Sequence, residues 1–162
     1  MEFNSCFDII GPVMVGPSSS HTAGVVAIGK FVYDYMGGIP DRAEVVFYDS
    51  FAETYQGHGT DKAIVGGLLG MEADDLRIRD ALDEANKQRV NIAFHLEAEC
   101  PDYPHPNTVL IQAERLGERF CIGGVSLGGG LSKIYMINGS SVDILLNGCI
   151  DFEQLKKYRL KK

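Results

Sequence analysis

The sequence predicts an α+β domain in which helices pack on a mixed, largely antiparallel β-sheet. Two patterns carry that expectation. Early in the chain Val25, Ile28, Val32, Tyr35 and Met36 recur at three- and four-residue spacing, the mark of an amphipathic helix. Later, residues alternate with period two, cleanly in VNIAFHLEAE at 90–99, and RLGE at 115–118 reads as a hairpin turn between two strands. A chain of 162 residues with 45% hydrophobic and 23% charged side chains has the length and composition of one folded domain with its own core.

The elements follow in order. CFDIIGPVMV, 6–15, reads as an extended segment bent at Gly11 and Pro12. After GPSSSHTAG, 16–24, a helix is expected over about 22–36, stopped by Gly37 and Gly38. A strand over about 43–51 leads into TYQGHGTDKAIVGGLLG, 54–70, a loop that becomes a second helix near Thr60 or Asp61. A third helix is expected over 73–88, with Leu76, Ala81, Leu82 and Ala85 as its apolar stripe. In the strand at 90–99, Val90, Ile92, Phe94 and Leu96 face one side and Asn91, Ala93, His95 and Glu97 the other. The loop CPDYPHPNT then precedes TVLIQAE, the returning RFCIGGVSLGGG, KIYMING and SSVDILL as strands, and DFEQLKKYRLKK as a terminal helix. The glycines at 128–130 suit a bulge or close backbone approach, because neither a following helix nor a G-x-x-x-x-G-K-[ST] motif makes them a phosphate cradle.

Composition excludes some classes of function. A formal net charge of -7 argues against a nucleic-acid partner, which is held mostly by clustered Lys and Arg. The basic cluster LKKYRLKK, 155–162, reads as a solvated helix tail rather than a binding arm. No stretch approaches the ~20 apolar residues of a membrane span, and MEFNSCFDIIGPVM lacks the basic and apolar regions of a secretion signal, so a cytoplasmic protein is expected. Cys6, Cys100, Cys121 and Cys149 form no C-x-x-C pair, which suits reduced thiols better than a disulfide or zinc framework.

Candidate chemistry collects at three polar junctions: SSSHT at 18–22, GHGTD at 57–61 and HPNT at 105–108. Each places a histidine among small, hydroxyl, amide or carboxyl residues in a loop, where functional groups concentrate. The fourth histidine, His95, lies on a strand's polar face and reads as a surface residue. One N-cap needs a single Ser or Thr, so SSSHT has hydroxyls to spare for an anion such as a carboxylate at the helix start. In GHGTD, glycines admit close approach of a ligand, Thr60 or Asp61 can cap the helix, and His58 can carry a proton near neutral pH. Asn107 both donates and accepts, which suits a zwitterion. Capped turns and plain loop chemistry account for each motif taken singly. A zinc site lacks a tight ligand pair, and a serine hydrolase lacks the G-x-S-x-G elbow.

Together, IGPVMVGPSSSHTAG at 10–24, GHGTDKAIVGGLLG at 57–70 and HPNT at 105–108 resemble the β chain of bacterial iron-sulfur-dependent L-serine dehydratase, from about residue 3 to about residue 150. The resemblance implies a fold like the allosteric substrate-binding domain of phosphoglycerate dehydrogenase. It implies deamination of L-serine to pyruvate and ammonia, a reaction of amino-acid metabolism and gluconeogenesis. It also implies a [4Fe-4S] cluster held by a partner α chain or domain and not by this chain, whose cysteines do not match the cluster ligands. An open iron site of that cluster would take the serine hydroxyl as a Lewis acid.

By the same resemblance His21 and His58 would move protons. Ser18, Ser19, Ser20 and Thr22 would hold the carboxylate, Asn107 and Thr108 would orient the amino acid, and Gly59, Thr60, Asp61 and His105 would complete the substrate-binding set. The chain would then divide into a β-type domain, 1–150, and a helical tail, 151–162, without the small ACT regulatory domain of many β chains, and would be inactive alone. A homodimer stays open. A second class of function fits the same motifs: a non-catalytic module that binds serine or another small anion by itself.

Overall fold

The computed structural model describes residues 13–160, so the readings for residues 6–12, including Cys6, and for the last two lysines lie outside the described residues. A single π-helical turn, Ser19–Ala23, opens α1, Gly24–Met36. The order then runs β1 Arg42–Tyr48, α2 Asp49–Thr54, α3 Thr60–Leu68, a 3-10 turn Leu76–Asp80, α4 Ala81–Lys87, β2 Asn91–Glu97, β3 Thr108–Arg115, β4 Glu118–Gly128, β5 Leu131–Ile137, β6 Ser140–Leu145 and α5 Phe152–Leu155. The six strands form one sheet in the order β2-β1-β3-β4-β5-β6. Only β1 and β2 run parallel, because the chain between them crosses over through α2, α3 and α4; the other pairs are antiparallel. The expected mixed, largely antiparallel α+β fold is the observed one.

The core lies between α1, α3 and one face of the sheet. Val25, Ile28 and Val32 of α1 are fully buried with Val45 and Phe47 of β1, Ile111 of β3 and Ile122 of β4. Helices α1 and α3 touch backbone to backbone. A Cβ on Gly29 would stand 2.6 Å from Ile64 O, and one on Gly67 would stand 2.4 Å from Val26 O, so glycine on both sides sets the helix spacing. The contact locks the helix that follows SSSHT against the helix that follows GHGTD. On the opposite face, Tyr48, Cys100, Val125 and Tyr135 form a smaller cluster, with Gly123 leaving room for the Tyr135 ring.

Four elements differ from the sequence reading. The first strand stops at Tyr48 and Asp49, in the left-handed region at φ 48, starts α2, a six-residue helix too short to show a period of its own. The third helix is a 3-10 turn followed by α4, with Asp75 accepting from the Arg77 N–H and Leu76 left exposed. Leu96, near the end of edge strand β2, is 48% exposed, whereas Ile92 and Phe94 pack on the core. The terminal segment is helical only over Phe152–Leu155 and then a 3-10 turn, and it is docked. Phe152 packs on Phe31, the Tyr35 hydroxyl donates to Leu155 O, and Arg159 lies over the rings of Tyr35 and Phe120.

Candidate functional site

The three polar junctions lie toward one end of the sheet because of strand direction, and two of them, SSSHT and GHGTD, touch. The C-terminal ends of β1 and β4 flank the N-terminal end of β3, with Phe47 beside Val109 and Thr108 beside Val125. The start of α1 packs over the same end: Gly24 carries no side chain where a Cβ would meet Ser126 Oγ at 2.3 Å, and Ser132 Oγ donates to Gly24 O.

SSSHT is both cap and network. Ser18 Oγ accepts the His21 backbone N–H at 3.2 Å, the expected N-cap, and lies 3.2 Å from Ser20 Oγ. Ser20 Oγ is 2.8 Å from His21 Nδ1, and on the other side of the ring Nε2 is 3.1 Å from Ser50 Oγ. Ser19 contributes its backbone oxygen, which accepts from the Gly24 N–H in the π turn. His21 is buried, and its ring meets Phe51 edge-on at 5.0 Å. Burial holds its pKa below the ordinary imidazole value, and the neighbouring His58 lowers it further. The ring is therefore neutral near neutral pH, able to accept a proton.

GHGTD joins this network. Gly59 takes φ 67, a left-handed turn that lets the chain enter α3 at Thr60. The turn carries the His58 ring to 4.8 Å from that of His21, at an interplanar angle of 84°. Thr22 Oγ1 donates to His58 O, so the two motifs are hydrogen-bonded to each other. His58 Nδ1 and Thr60 Oγ1 are buried without a hydrogen-bond partner among the described residues. Asp61 accepts the Lys62 N–H rather than reaching His21 or His58. A cavity of about 290 Å³ opens beside His58, walled by Gly16, Pro17, Thr22, Gly57, Lys62 and Arg79.

HPNT stands apart from the histidine pair. His105 Nδ1 accepts from the Asn107 N–H, Thr108 Oγ1 donates to His105 O, and Asn107 O accepts from the Ser126 N–H. Thr108 is fully buried, while His105 and Asn107 are half-buried. Burial lowers the His105 pKa, with Asp49 raising it and Lys133 lowering it. Among the described residues no hydrogen bond joins this loop to His21 or His58. Sequence reasoning missed Ser50, which the strand expectation over 43–51 had absorbed, Ser126, which read as an ordinary strand position, and Ser132, which fell between the two expected strands 119–130 and 133–139. The signal for Ser50 was the polar pair Asp49-Ser50 closing an apolar strand.

The combination of SSSHT and GHGTD, locked by Gly29 and Gly67 and bonded through Thr22, coincides with a family match. A sequence model described as "Serine dehydratase beta chain" matches residues 5–131. The chain belongs to the serine dehydratase beta chain family. It is 48% identical over 139 residues to "Probable L-serine dehydratase, beta chain" of Bacillus subtilis (strain 168), covering 86% of this chain and 62% of that protein. It is 41% identical over 140 residues to "L-serine dehydratase, beta chain" of Peptoniphilus asaccharolyticus, covering 86% of this chain and 63% of that one. "L-serine dehydratase 1" of Escherichia coli (strain K12) is 34% identical over 148 residues, which cover 85% of this chain and 30% of that protein. The chain thus spans less than two thirds of the length of the two beta chains.

The iron-sulfur cluster implied by the resemblance finds no fitting ligands among the described residues of this family member. Cys100 is buried against Tyr135, its Sγ 3.6 Å from the phenol oxygen, Cys121 is half-buried and Cys149 exposed. No group of three or more His, Cys, Asp or Glu that could hold a metal ion occurs among the described residues. No described helix is long and apolar enough to cross a membrane.

Proposed function

We propose that this chain forms one wall of the active site of an L-serine dehydratase, a cytoplasmic enzyme that converts L-serine to pyruvate and ammonia, with a partner α chain supplying the [4Fe-4S] cluster. The observation that carries the reading is the meeting of His21 and His58, edge to face at 4.8 Å, inside a network of hydroxyls. Elimination from serine needs a base for the weakly acidic Cα proton, and a neutral, buried imidazole is suited to take it. His21 is the proposed base, and His58 is its partner in proton handling. Ser19 and Ser20 face the substrate carboxylate with Thr22 beside them, and Ser18 holds the helix start. Gly59, Thr60 and Asp61 shape the turn that presents His58, while His105, Asn107 and Thr108 close the site where the strands end and orient the amino acid.

Co-purification from the native host tests the reading. A cysteine-rich, iron-containing partner bound to this chain supports it. A chain that is monomeric in the host and binds L-serine by itself contradicts it and makes the protein a sensor of small anions.

A further inference from the structure

Helix α1 runs antiparallel to β4, and three contacts mark its track: Gly24 lies over Ser126, Ile28 over Gly124, and the Tyr35 ring meets the Phe120 ring edge-on at 5.7 Å. The first two contacts are one step apart on both elements, because four helical residues rise about 6 Å and two strand residues about 6.6 Å. Between them the bulk changes sides. A Cβ on Gly124 would stand 2.7 Å from Ile28 Cγ2, so there the helix supplies the side chain and the strand supplies none. A Cβ on Gly24 would stand 2.3 Å from Ser126 Oγ and 2.9 Å from Ser132 Oγ, so here the strands supply the side chains and the helix none. Sliding α1 one turn toward the C-terminal end of β4 would drive Ile28 onto the two serines. Sliding it the other way would set Gly24 over Gly124 across a void.

The two serines stand opposite each other on β4 and β5 and are fully buried. Ser132 Oγ donates to Gly24 O at 2.7 Å, whereas Ser126 Oγ has no hydrogen-bond partner among the described residues; one contributes a bond, the other volume. Gly24 is also where the π turn closes, its N–H donating to Ser19 O, and His21 lies within that turn. The Ser126 N–H donates to Asn107 O at 3.0 Å, on the loop that carries His105. We propose that Ser126 and Ser132 are positioning residues of the site: they fix the register of α1 on the sheet, which sets His21 against His58, and the backbone of Ser126 ties the HPNT loop to the same point. The segment VSLGGGLS, 125–132, acquires a role by this reading. Its three glycines, all at positive φ, turn the chain back so that serine faces serine. The seating can be read without substrate; only its catalytic consequence rests on the function proposed above.

Nuclear Overhauser spectra of the full 162-residue chain test the seating. The parent is expected to show cross-peaks between the ring protons of His21 and His58, whose centroids are 4.8 Å apart. Gly24→Ala, which forces a Cβ against Ser126, is expected to lose those cross-peaks and to shift the Asn107 amide signal. Gly24→Ala combined with Ser126→Gly, which moves the side chain from strand to helix, restores both. Cross-peaks absent in the parent, unmoved in Gly24→Ala or not restored in the double variant overturn the proposal. Should Gly24→Ala fail to fold, the double variant decides: a folded chain with the parent's cross-peaks supports the proposal, and a chain that also fails to fold overturns it.

In the complex with the proposed cluster-bearing chain, Gly24→Ala is expected to lower kcat about 10- to 100-fold at nearly constant KM, the scale of a small misplacement of reacting groups, with the double variant recovering most of it. An unchanged kcat in a folded Gly24→Ala complex overturns the catalytic consequence. A parent complex that does not turn over serine overturns the proposed function instead, and the spectra still decide the seating.

Discussion

His21 and His58, 37 positions apart in sequence, stand edge to face with their ring centroids 4.8 Å apart, and Thr22 Oγ1 donates to His58 O beside them. The contact follows from the packing of α1 on α3, and it brings two groups that can carry protons into one buried junction.

The first prediction concerns that pair. In the proposed two-part enzyme, His21→Ala is expected to lower kcat by at least ~100-fold with a small change in KM, the pattern of lost proton transfer. His58→Ala, measured in parallel by steady-state pyruvate formation, lowers kcat as well. Near-normal turnover in both variants would reduce the pair to packing.

Stability should depend on pH through the same ring. Its folded-state pKa is lowered by burial and by His58, so folding stability is fully present above the ordinary value of about 6.5 and is lost as pH falls through the folded value. His58 is the titratable group facing His21, while Ser20, Ser50 and Phe51 complete its surroundings. His105, also lowered by burial, adds in the same direction. The melting temperature should therefore drop between about pH 7 and pH 5, and His21→Gln should flatten part of that slope. A slope unchanged by the substitution would contradict the assignment.

The serines divide by role. Ser18→Ala removes the N-cap and should cost about 0.5–2 kcal/mol of stability, read by denaturant unfolding, with KM kept in the folded enzyme. Ser19→Ala and Ser20→Ala should lower kcat/KM for L-serine about 10- to 150-fold, as expected for a lost hydrogen bond to a charged carboxylate of roughly 1.5–3 kcal/mol. Three variants that melt early yet turn over serine normally would return the segment to a plain helix start.

Gly67→Ala tests the frame under the site. Its Cβ would press on Val26 O at 2.4 Å and Lys30 N at 2.7 Å, backbone atoms that cannot rotate away. Overpacking of this kind costs roughly 1–3 kcal/mol. Spreading α1 from α3 also separates His21 from His58, so activity should fall with stability. An exposed control, Gly117→Ala in the β3–β4 turn, meets no atom within 4 Å but holds φ 77 and should lose stability only, through backbone strain.

Much of this architecture was legible in the sequence. The 3.6-residue spacing of Val25, Ile28 and Val32 and the glycine pair after Met36 marked α1, alternation marked β1 and β2, and the hairpin turn RLGE marked the junction of β3 and β4. Strand order was not legible, because alternation says which face a residue takes and nothing about its neighbour. The parallel β1–β2 pair was hidden for that reason. The histidines were visible as motif residues, but Ser50 was not: its role exists only because α2 turns back over the end of β1 through Asp49, a left-handed position with no glycine to advertise it. The docked tail escaped because Arg159 looked like part of a basic run, whereas its guanidinium lies over Tyr35 and Phe120.

The most direct measurement is pyruvate formation from L-serine by this chain, by the proposed iron-sulfur partner chain and by the two mixed anaerobically. The account predicts that neither chain alone makes pyruvate, that the mixture does, and that the mixture made with His21→Ala falls at least ~100-fold below the parent. Pyruvate made by the partner alone at the rate of the mixture, or a mixture indifferent to His21→Ala, would contradict it.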